Sequence, residues 1–69
     1  MTLNKAEYSD LKDGDKVLLQ NHNKTAGIVF FVAKIGEWIC WETADGKEVW
    51  ENIPHLKEKK TKLIGIIKD

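Results

Sequence analysis

The sequence predicts an all-β fold: five strands forming a small barrel, with one 3₁₀ turn before the last strand and a short N-terminal extension. Isolated turn signals at Asp13-Gly14, Gly36 and Asp45-Gly46 divide the chain at short intervals. The runs between them are rich in β-branched and aromatic residues: Ile28-Val29-Phe30-Phe31-Val32-Ala33, then Trp38-Ile39-Cys40-Trp41, then Val49-Trp50. Such residues fit a pleated, half-buried surface, whereas Asp-Gly supplies the positive φ of a tight turn. Pro54, which has no N–H for a ladder, closes the fourth run.

Each element follows from its local residues. Leu3, Ala6 and Leu11 fit one side of a short N-terminal helix begun by Thr2 or Asn4. Leu11 to Asp15 reads as a turn and Lys16 to Gln20 as the first strand. Asn21 to Lys24 is a polar loop, and Gly27 opens a second strand reaching Ile35. With Ile35-Gly36 as the connection, Phe30 opposes Trp41 and Phe31 opposes Cys40. Ala44-Asp45-Gly46 is read in preference as a three-residue loop with Gly46 in the left-handed region, setting Trp41 against Val49 and Cys40 against Trp50, whereas a two-residue Asp45-Gly46 loop would pair Trp41 with Trp50. The fourth strand then runs from Lys47 to Asn52. Ile53 to Leu56 suits one 3₁₀ turn, and Lys62 to Lys68 is the fifth strand, where Gly65 marks a bend or a close backbone approach.

This order resembles the SH3-like small barrels, particularly the Tudor and KOW type. The residues carrying the resemblance are Leu11-Lys12-Asp13-Gly14-Asp15-Lys16-Val17, Gly27-Ile28-Val29, the Asp45-Gly46 hairpin and Asn52-Ile53-Pro54-His55-Leu56, spanning about residues 11 to 68. The resemblance implies a barrel with a generic binding role. Tudor-like members hold methylated side chains in an aromatic cage, for which this chain supplies no four matching positions. KOW members often bind RNA or ribosomal and transcription proteins. The size is also that of many small phage and prophage accessory proteins.

Sixty-nine residues are read as one domain, 1–69, in which residues 1–12 form the extension. A chain this short buries only about 60% of its unfolded surface, which leaves little core for an enclosed substrate cleft. Eleven lysines balance eleven acids, and arginine is absent. Without the bidentate guanidinium, base-edge reading of a nucleic acid is disfavoured, although lysine still holds phosphates. Residues 35–53 carry five acids and one lysine, against five lysines and two acids over 54–69. One cysteine excludes an internal disulfide. The N-terminus lacks the apolar run of a secretory signal, so a cytoplasmic location is expected.

The apolar runs hold more large side chains than one sheet face can hide. Strand side chains alternate, so the expected register sends Ile28, Phe30, Val32, Ile39, Trp41 and Val49 to one face. Val29, Phe31, Ala33, Trp38, Cys40 and Trp50 go to the other. The expected role is therefore a non-catalytic binding module that docks on a protein partner, or on a second copy, through Phe31, Trp38 and Trp50. Glu42 and Glu48 stand beside them, with Glu37 and Glu51, as a polar rim. The structural alternative is that the termini (Leu3, Tyr8 and Leu11, or Ile64 and Ile66) cover this second face. The alternative function is single-stranded nucleic-acid or nucleotide binding, with stacking on Trp38 or Phe31 and phosphates on Lys57, Lys59, Lys60 and Lys62. Cys40 with His22 or His55 is too poorly grouped to predict catalysis or a metal site, and no cofactor is expected. Glu42 and Glu48 are read as solvated hairpin carboxylates rather than an acid/base pair.

Overall fold

A computed structural model describes residues 2–68 as one antiparallel sheet with little helix. Its strands are β1 (Thr2–Asn4), β2 (Lys16–Gln20), β3 (Ala26–Ile35), β4 (Trp38–Glu42), β5 (Glu48–Asn52) and β6 (Lys62–Lys68). A 3₁₀ turn spans Tyr8–Asp10, and a six-residue helix, α1 (Ile53–Glu58), precedes β6. The strand order is β1-β6-β2-β3-β4-β5, so β1 and β5 are edges and the sheet is not closed into a barrel.

Three expectations are corrected here. Among the described residues there are six strands, not five, because residues 2–4 form a strand where the sequence offered a short helix. Leu3 pairs with Ile67 and Asn4 with Ile66, and this ladder outweighs a helical propensity too weak to act alone over so few residues. Second, the segment before the last strand is a full α-turn rather than a 3₁₀ turn. The Asn52 side chain accepts from the His55 N–H, and Pro54 occupies the first turn, where its missing donor costs nothing.

The third correction concerns register and decides which residues share a face. The β3–β4 turn uses Gly36-Glu37 rather than Ile35-Gly36, so Ile35 faces Trp38 and Ala33 faces Cys40. Gly36 has φ +58°, as the first central residue of a type II′ hairpin turn requires. Beyond this, Val32 is an extra residue: the ladder skips from Ala33–Cys40 to Phe31–Trp41. Such a bulge reverses the inside/outside sense of everything before it. Phe31 therefore joins Trp41, and Phe30 takes its place on the opposite face. The β4–β5 register agrees with expectation. Trp41 faces Val49 and Cys40 faces Trp50, with Gly46 at φ +86° in the three-residue loop.

The core consists of Leu11, Val17, Leu19, Phe31, Ile39, Trp41, Leu56 and Ile66. Phe31 and Trp41 meet edge to face with ring centroids 6.1 Å apart, a favoured aromatic geometry. Leu56 brings α1 onto this face of the sheet. Gly65 is required by close approach: a Cβ there would lie 2.3 Å from the Asn4 carbonyl oxygen. Lys24 and Lys60 are the non-glycine residues with positive φ, at 66° and 59°. Lys60 follows the cap of α1, where its N–H donates to the Lys57 carbonyl and the Thr61 N–H to that of Leu56. Glycine is usual at that position, and another residue there costs about 1 kcal/mol.

Candidate functional site

Trp38 and Trp50 come from neighbouring strands. Because Trp38 pairs with Asn52 and Cys40 with Trp50, the two indoles are diagonal neighbours on the sheet face opposite the core. They are 52% and 48% exposed. Ile35, paired with Trp38, is 68% exposed, and Ile28 lies open on the same side. Phe30 is half-buried there, in register with Lys16 and Glu42. Trp38, Trp50 and Ile35 thus leave large apolar side chains open to water on one sheet face, and exposed apolar patches are often functional.

Among the described residues, the ends of the chain leave both indoles half exposed. Leu11 and Ile66 are core residues, Tyr8 packs against the core, and Leu3 is itself 48% exposed. Of the sequence-predicted site, Trp38, Trp50, Glu42 and Glu48 share the face. Phe31 does not: it is buried beneath the sheet against Trp41. Phe30 and Ile35 were missed because the Val32 bulge, which reassigns the first of them, has no glycine or proline to announce it.

Glu42 and Glu48 stand directly opposite each other. Facing like charges destabilise a strand pair and create a local negative potential beside the indoles. Glu51 belongs to the other side, where its carboxylate accepts from Lys59 Nζ at 3.3 Å. On the turn that follows, the Thr43 hydroxyl donates to Asp45 and holds that carboxyl below its ordinary value.

Cys40 is closed off from water between Ala33 and Trp50 in the ladder. Burial pushes its thiol up from the ordinary value of 9.0, and Glu48 and Glu42 push it further. His55 lies 3.7 Å from Glu58 on α1, and His22 sits in the β2–β3 loop, so neither accompanies the thiol. Alkylation of Cys40 by iodoacetamide at pH 7.5 is expected to be at least about tenfold slower in the folded chain than in urea. Equal rates would contradict the assignment. Tyr8 is also raised, by burial and then by Glu51. A raised pKa means the folded state holds its proton longer, so this contribution to stability is full below the unfolded value. It is lost as pH climbs through the folded value.

The expected phosphate-binding lysines lie elsewhere. Lys57, Lys60 and Lys62 line one groove together with Lys24 and His22, while Lys59 is tied to Glu51. These lysines belong to α1, the turn after it and β6, and α1 packs on the core side. The indoles stand on β4 and β5 and line neither this groove nor the cavity beside it, so stacking rings and clustered lysines come from different elements. Among the described residues, no three His, Cys, Asp or Glu side chains are grouped to hold a metal, and no helix is long and apolar enough to cross a membrane.

No protein-family model matches the chain, and no curated protein or solved structure matches it significantly.

Proposed function

We propose that the chain is a non-catalytic docking module whose Trp38–Trp50 face binds a basic protein surface. The observation that carries this reading is the half exposure of both indoles, which the described residues at the two ends of the chain leave open. Charge complementarity selects the occupant. Glu42 and Glu48 face each other, and Glu37 stands in the turn next to Trp38, so Lys or Arg from a partner would relieve a repulsion already present. A second copy using the same patch would bring the same acids into one two-fold interface, which disfavours self-association. The meander β2–β5, the helical turn and the return of β6 beside β2 support an SH3-like relationship as part of the proposal.

The test compares proteins retained by the immobilised wild-type chain with those retained by the Trp50→Ala and Glu42→Lys/Glu48→Lys variants, with sedimentation run in parallel. A protein retained by the wild type should be lost from both variants, because truncating an interface aromatic typically costs ~1–2 kcal/mol and charge reversal turns attraction into repulsion. The chain itself should sediment as a monomer. Retention unchanged by all substitutions, with the fold intact, would end the proposal, and a dimer abolished by Trp50→Ala would assign the face to self-association instead.

A further inference from the structure

The lysine groove is a second site, independent of the aromatic face, and we propose that it binds a nucleotide unit, free or within a strand. The groove lies between the β2–β3 loop and the turn joining α1 to β6, and has a volume of about 340 Å³. Lys24, Lys57, Lys60 and Lys62 line it with His22 and Asn21, and no carboxylate does. Among the described residues, none of these four lysines has an acidic partner within ion-pair distance, unlike Lys47 and Lys59. Lys24 from the β2–β3 loop and three lysines from residues 57–62 thus give one groove a positive potential that favours an anion. Two of them, Lys24 and Lys60, also hold positive-φ positions better suited to glycine.

A second cavity adjoins the groove and supplies what a phosphate alone would not need. It has about 620 Å³, shares Lys57, Thr61 and Lys62 with the groove, and is faced by Ala6, Tyr8, Ile53 and Leu63. Glu7 is the one carboxylate along either lining, against Lys34 and the four groove lysines. The pair of cavities thus places an aromatic ring and aliphatic groups beside a concentrated positive charge. A base resting on Tyr8 with its phosphates among the lysines satisfies both halves.

Calorimetric titration at low ionic strength tests this with ATP, tripolyphosphate and a twelve-residue oligothymidylate. Saturable binding is expected, tighter for ATP than for tripolyphosphate. A further rise with the oligonucleotide would identify a strand as the source, and ATP binding as tightly as the strand would identify a free nucleotide. Lys57→Gln with Lys62→Gln should weaken binding about tenfold or more and lower the slope of log affinity against log salt by roughly 1.4. Tyr8→Leu, which keeps an apolar group on the core, should weaken ATP about fivefold and leave tripolyphosphate unchanged. Lys60→Gly separates binding from folding, because it should raise the melting temperature while weakening ATP. Absence of saturable binding, equal affinity for ATP and tripolyphosphate, or equal weakening by the control Lys47→Gln would overturn the proposal.

Discussion

Replacing Trp41 by Ala should remove a large share of the stability of the fold. Trp41 is 1% exposed and meets Phe31 edge to face at the centre of the cluster, so its removal opens a cavity no neighbour can fill. Such truncations cost about 3–5 kcal/mol. The total stability of a chain this long is only about 3–10 kcal/mol. Trp41→Phe should be far milder. It keeps an aromatic ring against Phe31 and removes the indole N–H, which is buried without an acceptor. An unpartnered buried donor carries a penalty of about 1–3 kcal/mol, and losing it offsets part of the lost volume. Urea unfolding followed by circular dichroism gives both values. Equal, large losses for the two variants would mean that the N–H has a partner after all.

The second large effect is expected at Gly65. An added methyl group would meet Asn4 backbone atoms at 2.3 and 2.9 Å and the Leu3 side chain at 3.2 Å. Backbone cannot rotate aside as a side chain does, so in Gly65→Ala the strand β1 has to leave β6. The cost should be about 1–3 kcal/mol, as for other overpacked sites. It is bounded by what docking of β1 contributes, because release of that strand relieves the clash. Hydrogen exchange distinguishes this from general weakening. Amides of Leu3, Asn4 and Ile67 should lose protection, while those of Val17 and Ile39 keep theirs. Uniform loss across the sheet would show that β1 is integral to the core.

Much of the sheet could be read from residue order, for reasons visible in particular elements. The bounds of β2 and β6 follow from turn residues and a charged stretch on either side. The β4–β5 register follows from preferring a three-residue loop to a two-residue Asp45-Gly46 turn, because that loop keeps the apolar faces consistent, and it is the register observed. A bend or a close backbone approach was readable at Gly65, and the Asn4 backbone beside it makes it the close approach. What was not legible depended on partners distant in sequence. Thr2–Asn4 has no strand signature of its own and becomes one only because β6 offers an edge. The Val32 bulge is a compromise between a II′ turn at Gly36 and the burial of Phe31 with Trp41. No local pattern records it, and it moved Phe31 from the expected platform into the core. Likewise, Lys57, Lys60 and Lys62 are near one another in the chain, but Lys24 and His22 reach them only through the pairing of Gln20 with Lys62.

The central claim is that Trp38 and Trp50 are held on the sheet for a partner and contribute little to folding. Both are half exposed, and their neighbours on that face, Ile35 and Ile28, are also open to water. The most direct measurement sets two quantities side by side for the Trp38→Ala/Trp50→Ala chain: stability in urea, and affinity for a protein retained by the wild type. The expected result is a stability within about 1 kcal/mol of wild type, as for exposed substitutions, together with an affinity reduced at least about tenfold. A chain destabilised by more than about 2 kcal/mol that still binds its partner as before would contradict the claim, because the indoles would then belong to the fold.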